Sequence, residues 1–101
     1  MAKHTVRISA AAKRDLLDSY RWGVEHWGKD NAADWLNKIE REVITRLALF
    51  PFAFPVAPES AELPVEVRQF KFGRYRVLFT VKKNNVLVLR VRGPFTGKTG
   101  T

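Results

Sequence analysis

Apolar positions along the chain fall into three kinds of spacing, and each kind predicts an element. Thr5-Val6-Arg7-Ile8 alternates over a short run, as a strand does. From Ala10 the apolar residues Ala12, Leu16, Tyr20, Val24 and Trp27, with Leu17 alongside, recur at three and four, which puts one stripe on one helical face. Ser9 reads as the N-cap of this helix and Gly28 as its αL stop. A second stripe runs through Ala32, Leu36, Ile39, Val43, Leu47 and Phe50, with Asp30 as the expected N-cap and Pro51 ending the helix at Phe50. Two such helices a few residues apart predict an antiparallel αα-hairpin that needs a further apolar surface to cover it.

That surface is expected from residues 65–92. Tyr75, Val77, Phe79 and Val81 alternate with Arg76, Leu78, Thr80 and Lys82. Gly73-Arg74 and Asn84-Asn85 suit two-residue hairpin turns, so the stretch predicts a three-stranded antiparallel meander. Between helix and meander, Pro51, Pro55, Pro58 and Pro64 break any period. Phe52, Phe54 and Val56 give this segment apolar groups to pack, so it reads as a crossing loop rather than a linker. The whole chain, 1–101, reads as one domain with a short tail from residue 93.

With two-residue turns, Phe70, Phe72, Tyr75, Val77, Phe79, Val81, Val86 and Val88 share one sheet face, assigned to the core. Gln69, Lys71, Arg76, Leu78, Thr80, Leu87, Leu89 and Val91 share the other, read as an open groove with Arg76 opposite Lys71 at its centre. Arg68, Arg90 and Arg92 fall on the core face in this register, where an unpaired charge is costly. Either a bulge or longer turn around Phe72-Gly73-Arg74 slips the parity and moves Arg68 into the groove, or Arg68 and Arg90 sit at the core margin and pair with Glu40 or Glu42.

Charge sharpens the picture. The net charge of +8 lies wholly in the last third: residues 1–64 hold nine Lys/Arg and nine Asp/Glu, and residues 65–101 hold nine Lys/Arg and Glu66 alone. A one-signed sheet suits phosphates or an acidic protein, against the plainer reading of a solvated basic surface. No apolar run approaches the ~20 residues of a membrane span, and no signal peptide is recognisable. The absence of cysteine fits the cytosol. His4 and His26 stand without a ligand cluster, so neither a metal site nor a cofactor is expected.

The order β-α-α-β-β-β, an α+β arrangement, resembles the RelE/ParE superfamily of toxins from bacterial type II toxin–antitoxin modules. The resemblance rests on Ser9-x-x-Ala12-x-x-Asp15-Leu16, Ala32-x-x-Trp35-Leu36-x-x-Ile39 and Leu47-x-x-Phe50-Pro51, then Arg68, Tyr75-Arg76-Val77-Leu78-Phe79 and Val86 to Val91. It implies a growth-inhibiting toxin, associated with plasmid stabilisation and neutralised by an acidic antitoxin in a hetero-oligomer. RelE-like members cut messenger RNA on the ribosome, with Lys and Arg on the phosphate and a Tyr, His or Glu moving the proton. ParE-like members poison DNA gyrase.

For a nuclease, Arg76, Arg68 and Lys71 would be the catalytic candidates by that resemblance. Beyond Val91, however, the chain offers no Tyr, His, Glu or Arg after Arg92, and Tyr75 falls on the core side. General acid–base chemistry needs a titratable group within reach of the proton. The expected reading is therefore ParE-like and without nuclease activity. The candidate antitoxin- or target-binding residues are Lys71, Arg76, Leu78, Leu87, Leu89, Val91, Arg90 and Arg92. A small basic nucleic-acid-binding module is the reading outside this class, weakened because the sheet's aromatics alternate onto the core side.

Overall fold

The computed structural model describes residues 3–93. Elements follow in the order β1 (Thr5–Ile8), α1 (Ala10–Trp27), α2 (Lys29–Leu49), β2 (Arg68–Phe72), β3 (Tyr75–Lys82) and β4 (Asn85–Arg92), with short 3₁₀ turns at Pro51–Ala53 and Pro58–Glu62. The four strands form one sheet in the order β1-β4-β3-β2. β1 runs parallel to β4 and every other pair is antiparallel. The helical hairpin covers one face of this sheet, which is the α+β arrangement the sequence predicts. The tail from residue 94 lies outside the described residues.

Ser9 caps α1 as expected, its Oγ accepting from the Ala12 amide at 3.0 Å. The same hydroxyl donates to the Leu89 carbonyl at 3.1 Å, so the cap also ties the helix start to β4. The cap of α2 departs from expectation. Gly28, at φ 90°, both closes α1 and opens α2, so Asp30 falls inside the first turn. A connection this tight leaves no room for a separate cap residue, and only glycine adopts the required φ without strain. The Asn31 amide instead donates back to the Trp27 carbonyl, satisfying an orphan acceptor at the end of α1.

Behind the hairpin lies one core of Ala12, Leu16, Ile39, Val43 and Leu47 from the helices and Phe70, Tyr75, Val77, Phe79, Val86, Val88 and Val91 from the sheet. Val91 is a correction: it was expected in the groove. Of the residues counted with the helical stripes, Leu17 and Phe50 stay exposed.

The register explains the correction. β2 and β3 pair as predicted, with Phe72 opposite Tyr75 and Lys71 opposite Arg76, so no slip occurs at Gly73-Arg74. The second turn sits one residue early, at Lys83-Asn84, with Lys83 carrying φ 57°. From there Val81 faces Val86 and Phe79 faces Val88, but Leu78 faces Arg90. Leu89 is therefore an extra residue in β4, a bulge that inverts side-chain parity beyond it. Val91 turns into the core and Arg92 turns outward, opposite Arg76.

Candidate functional site

The side of the sheet away from the helices is not the bare groove that alternation alone implies. The proline-rich crossing segment folds back over it. Ala57 and Val67 bury Leu78 beneath them, and Leu89 packs at the margin of this second small core. Leu78 thus belongs to the expected face but is 4 % exposed and closed to a partner. Backbone bonds hold the cover in place: Ala57 N–H to the Val67 carbonyl at 2.8 Å and Gln69 N–H to the Pro55 carbonyl at 2.9 Å. Side chains add to them. The Ser60 hydroxyl accepts from the Val67 amide at 2.9 Å, and the Thr80 hydroxyl donates to the Glu66 carbonyl at 2.8 Å. Of the loop's apolar residues, Phe54 packs on Phe70 and Phe79, while Phe52 and Val56 stay exposed.

Arg68 meets neither the groove nor the acids of α2. Its Nη1 donates to the Phe54 carbonyl at 2.7 Å, its Nη2 reaches Glu66 at 3.1 Å, and its guanidinium lies over the Phe52 ring. The loop thus engages both terminal nitrogens of Arg68, whereas its buried Nε has no hydrogen-bond partner among the described residues. Arg90 is a second correction. It pairs not with Glu40 or Glu42 but with Asp15 of α1, Nε at 2.8 Å and Nη2 at 2.9 Å. The same carboxylate accepts the Val91 amide at 2.8 Å. β1 ends at Ile8, beside Val88, so among the described residues no strand pairs with β4 beyond it on that side, and Asp15 supplies the acceptor that a further strand residue would have supplied. Asp15 holds Arg90 ionised, raising its pKa further above the ordinary guanidinium value.

What remains outward and reachable is a row of cations across three strands: Lys71, Arg76 and Arg92, neighbours in register. Arg76 is the ordered member. Its Nε donates to Gln69 Oε1 at 3.1 Å, and its Nη2 lies 2.7 Å from both carboxylate oxygens of Glu59. Glu59 comes from the 3₁₀ turn Pro58–Glu62, which no strand periodicity could align with β3. Sequence reasoning missed it for that reason. The only available signal was an acid placed in a proline-rich loop ahead of a basic sheet. The hydrogen bond from Arg76 is the main cause that holds the Glu59 carboxyl below the usual glutamate range, opposed by partial burial and helped by the charge of Arg92. Toward β1 the face continues as an open cleft lined by Arg7, Thr80, Lys82, Asn85, Val86 and Leu87. Leu87 is exposed there, as the groove assignment requires.

Tyr75 lies on the opposite side. It is buried against Trp35, and burial raises its pKa despite the hydroxyl of Ser19 beside it. Neither ionised nor facing the cation row, it has no part in chemistry at Arg76. Gly93 follows β4 directly against this ring, where any Cβ would overlap it.

Comparison with known proteins agrees with the architecture. The sequence profile of the family described as ParE toxin of type II toxin-antitoxin system, parDE, matches residues 6–93. Among solved structures, a chain of the chromosomal ParDE toxin–antitoxin system from P. aeruginosa superposes with TM-score 0.74 at 22 % identity, covering 89 % of this chain and 95 % of that one. A chain of the RelBE2 toxin–antitoxin complex from Mycobacterium tuberculosis gives TM-score 0.66 at 21 % identity, covering 92 % and 93 %. No curated protein sequence matches.

Proposed function

The chain belongs to the ParE toxin family of type II toxin–antitoxin systems, and from that premise we propose that it inhibits growth without cutting RNA, by poisoning DNA gyrase in the cytoplasm. We propose further that residues 1–101 act as one toxin unit and that an acidic antitoxin neutralises it by covering the outward sheet face. Among the described residues no helix is long and apolar enough to cross a membrane.

One observation carries the non-nuclease reading. The acid beside Arg76 is a poor proton carrier: both Glu59 oxygens are bonded to the guanidinium and its pKa is lowered. A general base works best with a pKa near the operating pH, and a depressed carboxylate is far from it. For neutralisation, the support is charge and shape. Lys71, Arg76 and Arg92 stand in a row, with part-exposed Leu89 and exposed Leu87 farther along the same face, which suits an amphipathic acidic segment. Of the candidate residues, Lys71, Arg76, Arg92, Leu87 and Leu89 stay in this proposal, whereas Leu78 and Val91 are buried and the exposed Arg90 is paired with Asp15.

A second reading, ribosome-dependent messenger RNA cleavage, draws on the same juxtaposition of Glu59 with Arg76, an acid and a cation within bonding distance. Two assays on purified protein separate the readings. Supercoiling by gyrase is expected to fall, or cleaved DNA to accumulate, while messenger RNA on a programmed ribosome stays intact. Codon-specific cleavage that disappears in Arg76→Ala would reverse the order.

A further inference from the structure

Arg76 does not stand empty before a partner arrives. Resting on the neutralisation reading above, we propose that Arg76, flanked by Lys71 and Arg92, is a carboxylate-binding site that the chain's own Glu59 occupies, and that an acidic peptide binds by exchanging its carboxylate for Glu59.

Three observations carry this. The loop that carries the occupant does not depend on its carboxylate: it is fixed by Ala57, Val67, Ser60 and Thr80, none of which bonds the Glu59 side chain. Glu59 can therefore swing out by a rotamer change while the cover stays on Leu78. The pair is also about one-third open, with side-chain exposures of 32 % for Arg76 and 31 % for Glu59, so an incoming group can reach the guanidinium. Among the described residues, Nη1 of Arg76 makes no hydrogen bond, which gives a second carboxylate a place to land before the first has left. Finally, Glu59 is a single acid beside three cations neighbouring in register, so the row keeps a net positive charge with its occupant in place.

The surroundings favour a peptide over nucleic acid. Leu89 and Leu87 lie farther along the same face, Leu87 opposite Thr80, and Phe70, Phe72, Tyr75 and Phe79 all sit on the helix side, so the strands offer no ring on which a base would stack. Gln69 fixes Arg76 through Nε and keeps the guanidinium aimed at the same place whichever acid it holds.

The test uses the full chain with short poly-L-glutamate as the probe and a single-stranded oligonucleotide of matched charge beside it. Glu59→Gln keeps the shape of the side chain and is expected to tighten polyglutamate binding ~3–5-fold, the scale of a part-exposed ion pair. Arg76→Ala should weaken it ~10-fold or more, and Glu59→Gln should then add nothing in the Arg76→Ala background. Glu62→Gln, removing the same charge from the same turn, controls for general electrostatics. Equal tightening by Glu62→Gln, persistence of the gain without Arg76, or no gain from Glu59→Gln overturns the exchange but leaves the binding face standing. Unchanged affinity in Arg76→Ala overturns the binding face itself. Tighter binding of the oligonucleotide than of polyglutamate overturns the peptide as occupant and puts phosphate in its place.

Discussion

On its helix side the sheet presents Phe70, Val77, Phe79, Val86 and Val88 to two helices, and each is buried by groups distant in the chain. On its other side the same strands present Lys71, Arg76, Thr80 and Leu87, covered in part by a loop that ends where β2 begins. The first face is set by side-chain size and parity, and its burial follows from the hydrophobic effect without any particular partner. The second is set by pairwise electrostatics and by a proline-rich segment with no period. One face makes the fold; the other has cations to offer. Their difference also explains why charge is tolerated at Arg68 and Arg90, since each reaches over a margin to a fixed acceptor rather than into either face.

The largest expected effect tests whether the two cores are unequal. Phe79→Ala, at the centre of the helix side and 0 % exposed, should lower stability by about 3–5 kcal/mol in denaturant titration. Leu78→Ala, its sequence neighbour under the loop, should fall near the lower end of the ~2–5 kcal/mol range for such truncations, because its satellite core can collapse. If Leu78→Ala proves the more damaging, the loop is a principal layer and not a cover.

Asp15→Ala comes next. It removes the acceptor of the β4 edge amide and the partner of Arg90, with an expected loss of about 1–3 kcal/mol. Asp15→Asn, which keeps one acceptor oxygen, should recover part of it. Equal losses in both variants would mean that the ion pair, and not the edge bond, fixes β4.

The smallest effect concerns the outward face and its pH dependence. Arg76→Ala should lower stability by about 1 kcal/mol or less, since the pair it breaks is part-exposed. Because the Glu59 pKa is lower folded than unfolded, the pair's contribution is complete above the unfolded value and disappears as pH falls through the lowered folded one. A carboxyl-carbon NMR titration should place the Glu59 midpoint below the ordinary glutamate range and return it upward in Arg76→Ala. A midpoint indifferent to Arg76 would separate the two side chains.

Much of this was readable from residue order. Period 3.6 gave both helices, Ser9 its cap, and period two the core face of β2 and β3, because burial on a regular element leaves a regular trace. The fates of Val91, Arg90 and Arg92 were not readable, since one unpaired residue at Leu89 inverts parity without leaving a compositional mark. Glu59 and the covering of Leu78 were hidden for another reason: a loop's path depends on where its anchors lie in space, and Ala57, Val67 and Thr80 show no spacing rule.

The bulge at Leu89 also works as a phase shifter. A strand in strict alternation would carry one kind of side chain on each side from end to end. With one residue out of step, β4 keeps valines toward the helices at both Val86 and Val91 while delivering a cation, Arg92, beside Arg76. What is constrained there is arithmetic more than chemistry: the number of residues between Val88 and Val91 determines which side Arg92 reaches. Sequences aligned to this chain by residue type alone, without counting that interval, would assign its last cations to the wrong side of the sheet.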